Sequence, residues 1–331
     1  MTNAELSIKP IKGRFTLRGH LDIARIDHWF KNVFILPGMA AAVAIDPNHI
    51  APHVPQRFAL GLISACLVAS SNYTINEVLD APSDLAHPTK HTRPVPSGRV
   101  HVPLAYLQWL ALMVLGVGLG YLVSVRYAIT MFVLWLMGCI YNIRPVRSKD
   151  LPYLDVLSEA INNPLRMLAG WFIVGNATVA PGSLLLSYWM VGCYFMAMKR
   201  YAEYREIADA ERAAAYRSSF KFYTEDRLLI SIMFYGSAAM LFLGAFVMRY
   251  RLELILSFPP IALVMAIYLY LGLKPNSTVQ RPEGLYKEKT LMVAVTACAI
   301  LIGVLMLVDL PWLPNLVAPT ARTRIGADAP R

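Results

Sequence analysis

The sequence predicts an all-α, polytopic membrane protein with nine transmembrane helices around a cavity that faces the cytoplasm. Three observations carry this expectation. Apolar residues make up 56% of the 331 and charged residues only 16%, whereas a soluble domain is about 45–50% apolar and about 25% charged. The apolar residues gather in runs close to the ~20 needed to cross a bilayer. Lys and Arg concentrate in alternate connections, the pattern that orients membrane helices.

The elements follow in order. A basic segment, 1–27, is expected on the cytoplasmic side, with no small-residue cleavage site after a short apolar core and hence no cleavable signal peptide. Span one runs near 30–47. Span two, near 58–79, contains FALGLISACLVASS and leads into NYTINEVLDAPSD, where Pro82 is expected to break the helix. Spans three to six run near 103–125, 127–143, 154–175 and 183–200. The stretch AEYREIADAERAAAYRSS reads as an amphipathic surface helix held by ion pairs and anionic lipid. Spans seven to nine lie near 228–248, 253–273 and 290–312, closing a helical domain over 28–313; a flexible tail, 314–331, follows. Pro and Gly inside several spans are tolerated where neighbouring helices satisfy the backbone. Cys66, Cys139, Cys193 and Cys298 sit in apolar runs without paired spacing, which points to buried thiols and away from a disulfide or zinc framework. With the N-terminus inside, 23 of the 31 Lys and Arg fall in cytoplasmic segments and seven outside; Arg166 lies within span five. The bias predicts an odd number of spans, N-terminus inside and C-terminus outside.

Polar groups inside spans are costly, so each is a functional hypothesis. Here they collect at the cytoplasmic ends. Asn72, Asn76 and Asp80 recur at i, i+4 and i+8 and share one helix face, with Asp84 just beyond. Asp155, Glu159, Asn163 and Arg166 open span five; Lys199, Arg200 and Glu203 close span six; Lys31 and Asn32 open span one. Two carboxylates four residues apart repel unless a cation lies between them. Hard oxygen ligands select Mg²⁺, which takes the rest of its shell from water and substrate phosphates, and Lys and Arg suit phosphate oxygens. The constellation reads as a Mg²⁺–diphosphate site at a membrane surface. Simpler readings stand beside it. A carboxylate at a helix end often faces water or headgroups, Arg99, Lys149 and Arg227 suit charge anchors, and His87 and His91 suit a solvated loop. No Gly-rich phosphate loop, HExxH or nucleophile elbow is present, and no nucleic-acid partner is expected.

NEVLDAPSD, Asn76 to Asp84, resembles the NDxxDxxxD motif of the UbiA-type intramembrane prenyltransferases, with Glu77 in place of the first Asp. The likeness covers roughly 25–310. It implies nine helices around a cytoplasm-facing cavity, with Asp80, Asp84 and Asn76 holding Mg²⁺. The family's usual second motif, DxxxD, is here MAMKRYAEYRE, with Lys199, Arg200 and Glu203. HWFKN, HPTKHTRP and YNIRPVRSKDLPYLDVLSEAINNPLR are similar to the decaprenyl-phosphate phosphoribosyltransferase branch. That branch implies phosphoribosyl diphosphate as donor, polyprenyl phosphate as acceptor, a bacterial inner-membrane location and a product that feeds arabinan synthesis. On this reading Lys31, Arg144, Lys149, Lys199 and Arg200 meet phosphates, while Asn72, Glu77 and Glu203 line the substrate site. Asp155 and Glu159 bind ribose hydroxyls or orient cations. Arg166 meets the lipid phosphate or pairs with Glu159. An aromatic prenyltransferase of the same fold and a lipid-phosphate transporter are the alternatives; a homo-oligomer is compatible with either.

Overall fold

Chain in an apolar solvent must satisfy every backbone N–H and C=O within its own segment, which selects helices. The computed structural model describes residues 13–47, 50–85, 90–176, 178–207, 209–280 and 282–317, and among them only helices and their connections form. In order these are α1 (Leu17–Asp22), α2 (Leu36–Ile45), α3 (Val54–Asp84), α4 (Val102–Val123), α5 (Val125–Asn142), α6 (Leu154–Ala160) and α7 (Asn162–Val174). Then come α8 (Gly182–Ile207), α9 (Ala210–Tyr216), α10 (Glu225–Tyr250), α11 (Phe258–Leu273), α12 (Lys289–Leu307) and α13 (Leu313–Val317). A 3₁₀ segment, Ile26–Ile35, feeds α2. Among the described residues seven helical stretches are long and apolar enough to cross a membrane. The protein is a multi-pass, all-helical membrane protein.

Span five, expected as one helix, is two. α6 and α7 meet at Ile161, just ahead of Pro164. Proline has no N–H and is tolerated in a helix's first turn, so the second helix starts around it. Span six forms α8 but carries Lys199, Arg200, Glu203, Arg205 and Glu206 in its last turns, and neither segment is among the seven apolar stretches. Pro82 does not break α3, which runs on to Asp84. Its missing N–H leaves Val78 O without that intrahelical donor, but the helical pattern resumes beyond it, with Leu85 N donating to Ala81 O (3.1 Å). The described part of the N-terminal segment packs against the loop before α4: Arg14 N donates to Gly98 O (2.8 Å), and Thr16 Oγ1 to Arg99 O (2.7 Å). His87 and residues 318–331 of the tail lie outside the described residues.

At ~1.5 Å per residue the 31-residue α3 is about 46 Å long, against a hydrocarbon layer of ~30 Å. Its polar end, Asn72–Asp84, therefore extends past the apolar slab at one side. Two cores flank it. Tyr127, Met131, Leu134 and Ile173 join α5 and α7 to α3, while Met198, Leu228 and Ile232 join α8 to α10. The α2–α7 contact is backbone-close. A Cβ on Gly38 would lie 1.8 Å from Met167 O, and one on Gly170 would lie 2.0 Å from Ile35 O.

Candidate active site

Both halves wall one cavity of about 1760 Å³. A single ligand pocket is usually ~300–1,000 Å³, so there is room for two substrates. α3 supplies Asn72, Asn76, Glu77 and Asp80. Asn72 Nδ2 donates to Leu134 O (3.0 Å), and its buried Oδ1 has no hydrogen-bond partner among the described residues. Glycine at the facing position leaves it room: a Cβ on Gly138 would lie 2.2 Å from the Asn72 amide. Glu77, 2% exposed, accepts from Val95 N (3.0 Å) and so pins the loop after α3. Asp84 is not on the wall. It is 4% exposed and ion-paired with Arg93 (2.8 Å). Each four-residue step advances about 40° beyond a full turn, so Asp84 points about 120° away from Asn72.

The α5–α6 connection lays cations over this face. Lys149 Nζ donates to Asp80 Oδ1 (2.5 Å), Asn142 Oδ1 (2.9 Å) and Asn76 Oδ1 (3.2 Å). Arg147 Nη2 donates to the same Asp80 oxygen (3.0 Å), and its Nε to Asp150 (2.9 Å). Arg147 itself sits in the left-handed backbone region (φ 34°) at the turn that returns Lys149 to α3. Burial pushes the Lys149 ammonium down to about 8, against the pull of Asp80. Arg144 is exposed and does not reach the cavity wall.

The opposite wall centres on Arg200. Its Nε donates to Asp155 (3.2 Å), Nη2 to Glu159 (3.1 Å) and Nη1 to Glu203 (2.9 Å). Asp155, fully buried, also accepts from Arg217 Nη1 (3.1 Å), Ser219 Oγ (3.3 Å) and Tyr223 OH (2.6 Å). It is the anchor of this wall and lies behind it. Glu159 accepts from Tyr141 OH (2.8 Å) as well. Arg200 faces the cavity but spends every nitrogen on a carboxylate. Lys199 beside it lines the cavity with no ion pair among the described residues. Lys31 lines it too, 5.9 Å from the Tyr73 ring centre.

Arg217 and Asn142 are cavity residues to which sequence reasoning gave no role in the site. Arg217 falls in the stretch expected to form one surface helix, yet 202–207 continue α8, only 210–216 form α9, and Arg217 turns inward. Burial and Arg200 oppose its charge; Glu203 and Asp155 are among the neighbours that outweigh them and hold it above its ordinary value. Phe220 and Tyr223, buried three residues apart in a polar run, were the available signal.

Arg166, on α7, is buried at 8% exposed. Its Nε donates to Asn32 Oδ1 (3.0 Å) and Nη1 to Asn162 O (3.3 Å). Glu159, its expected alternative partner, is taken by Arg200 and Tyr141. Across the cavity wall, eleven Lys and Arg face seven Asp and Glu.

The profile of the UbiA prenyltransferase family matches residues 33–283. A decaprenyl-phosphate phosphoribosyltransferase of Corynebacterium glutamicum is 30% identical over 218 residues, 62% of this chain and 60% of that protein. Its namesake in Mycolicibacterium smegmatis is 31% identical over 217 residues, 63% of this chain and 64% of that one. The chain thus spans about three-fifths of the length of these relatives. Among solved structures, a UbiA homologue from Archaeoglobus fulgidus bound to DMAPP and Mg²⁺ superposes with a TM-score of 0.65. It is 19% identical and covers 88% of this chain and 100% of that one. A digeranylgeranylglyceryl phosphate synthase superposes at 0.57, 14% identical, over 88% and 96%. At these identities the structures share the fold.

Proposed function

Because the chain belongs to the UbiA prenyltransferase family, we propose that it is a membrane transferase that moves 5-phosphoribose from phosphoribosyl diphosphate to a polyprenyl phosphate, decaprenyl phosphate in the first instance. The observation that carries this reading is the charge of the cavity. Eleven cations against seven carboxylates, with Glu159 and Glu203 already neutralised by Arg200, suit two substrates that both bring phosphate. An aromatic acceptor would not need that surplus. The names of the matching relatives point the same way.

Asn76, Asp80 and Asn142 fit a hard divalent cation: their side-chain oxygens already converge on one ammonium. No group of three or more His, Cys, Asp or Glu forms among the described residues. A protein-only cage is therefore absent there, and Mg²⁺, which borrows ligands from phosphates, is the matching ion. Asn76 and Asp80 would hold it, with Asp84 joining if it releases Arg93. Bound there, the ion would neutralise charge on the departing diphosphate. Lys149 and Lys199 meet the donor's phosphates, and Arg147 and Arg200 orient the carboxylates around them. An oxygen of the acceptor phosphate forms the new bond to the ribose anomeric carbon, and the bond from that carbon to the diphosphate oxygen breaks. The attacking oxygen is already anionic, so no strong base is required. Nine spans, an inner-membrane location, an inside N-terminus and a cytoplasmic mouth complete the reading, and the lipid product would serve arabinan synthesis.

The test is direct. Purified protein with Mg²⁺, labelled phosphoribosyl diphosphate and decaprenyl phosphate should give a labelled lipid and free diphosphate. Turnover of a prenyl diphosphate with an aromatic acid, and none with any polyprenyl phosphate, would reverse the conclusion in favour of an ordinary prenyltransferase.

A further inference from the structure

The cavity's cations are unequal. On its wall Lys149, Arg200 and Arg217 all face carboxylates. Arg166 faces none among the described residues, though it is among the most buried of them, 8% exposed and on the cavity wall. Its recorded partners are neutral: the side-chain oxygen of Asn32 and the backbone oxygen of Asn162. Among the described residues Nη2 makes no hydrogen bond. Asn32 is itself 1% exposed and is oriented from behind, its Nδ2 donating to Cys66 Sγ (3.2 Å). A second polar atom nearby is unsatisfied, the buried Oδ1 of Asn162, which also lines the cavity.

A guanidinium out of water and without a counter-charge costs several kcal/mol. Fixed by Asn32 at Nε and by a carbonyl at Nη1, it keeps one edge open to an anion, and such an edge matches two oxygens of a phosphate. Its place in the fold separates it from the metal-side oxygens. It sits on α7, below Asn162, while Asp80 and Lys149 sit at the outer end of α3 and on the α5–α6 connection. Phe30 and Phe34, from the 3₁₀ segment that carries Asn32, line the same cavity and give an alkyl chain an apolar path from there.

We propose that Arg166, positioned by Asn32, is a phosphate-monoester seat for the lipid acceptor, separate from the donor's diphosphate site, and that it selects phosphorylated lipids over neutral ones. This rests on the reading of the acceptor as a polyprenyl phosphate. The experiment uses full-length protein in nanodiscs, without donor, titrated with decaprenyl phosphate and with decaprenol. Wild type should bind the phosphate at least 100-fold more tightly than the alcohol. Arg166→Gln should cut that preference below about tenfold, Arg166→Lys should restore part of it, and Asn32→Leu should lower it about fivefold. Binding of phosphoribosyl diphosphate with Mg²⁺ should stay within twofold of wild type in Arg166→Gln. Thermal stability separates this from a structural role. Arg166→Met removes a charge that has no counter-charge to strand, so it should unfold no earlier than wild type. Early unfolding of Arg166→Met, or full phosphate preference in Arg166→Gln, overturns the inference while leaving the acceptor reading intact. A wild type that does not distinguish phosphate from alcohol removes the acceptor reading itself.

Discussion

Arg200→Met tests whether the α8 cation is a structural hub or a substrate contact. The substitution keeps the length and apolar volume of the stem and deletes three ion pairs, to Asp155, Glu159 and Glu203. Removing one partner of a buried pair costs about 3–5 kcal/mol, mostly from the charge left behind. Three pairs do not triple that figure. Asp155 keeps Arg217, Ser219 and Tyr223, and Glu159 keeps Tyr141. Glu203 loses the hydrogen bond that holds it, so the expected loss is about 3–5 kcal/mol in all. Reversible unfolding in mixed SDS micelles measures it. Adding Glu203→Gln to Arg200→Met removes the stranded charge and should recover about half of the loss. If Arg200→Met unfolds within about 1 kcal/mol of wild type, a shift too small for a broken buried pair, and its only defect is weaker donor binding, the hub assignment fails.

Three further outcomes follow from single distances. Asp80→Asn should remove most transferase activity while the protein stays folded, because Lys149 can still bond the amide oxygen; wild-type turnover would refute the metal assignment. Gly138→Ala places a methyl 2.2 Å from the Asn72 amide. It should displace Asn72 from the cavity wall and raise the donor KM at least several-fold with a smaller change in melting temperature. Gly38→Ala pushes a methyl to 1.8 Å from Met167 O, a backbone atom that cannot rotate away. Overpacking of this kind costs about 1–3 kcal/mol, read as a lowered unfolding midpoint.

The membrane class and the α3 stripe were legible in the sequence because both are local. Apolar runs mark spans by length, and Asn72, Asn76 and Asp80 share a face by period alone. What was not legible depends on contacts distant in sequence. Asp155 reads as a site residue from its place beside Glu159, yet Arg217 and Tyr223, 62 and 68 positions on, enclose it. Asp84 matches the motif spacing, but helical drift and Arg93 turn it away. Arg144 and Arg147 look equivalent in YNIRPVRSK, and only the turn decides that Arg147 reaches Asp80 while Arg144 stays exposed. The break at Ile161 was signalled by Pro164, which the apolar run around it outweighed.

The two walls answer the same electrostatic problem in different ways. Each gathers carboxylates at the mouth of an apolar cavity, where like charges repel unless cations intervene. On the α8 wall the cations are permanent: Arg200 and Arg217 are covalently part of the chain, never lose their charge, and bind three carboxylates between them. On the α3 wall the cover is lighter. Asp80 keeps a fifth of its side-chain surface exposed, and Lys149, its nearest cation, is a flexible ammonium that burial already disfavours. An exchangeable divalent ion can enter only where the resident cation can leave. On the α3 wall one of the two cations on Asp80 is the Lys149 ammonium, with Arg147 beside it, whereas on the α8 wall Asp155, Glu159 and Glu203 are each held by the Arg200 guanidinium. The replacement of a second acidic motif by Lys199 and Arg200 therefore does more than add positive charge. On the proposed reading it would confine an exchangeable metal to one side of the cavity and leave the part lined by Lys199 and Arg166 to phosphate.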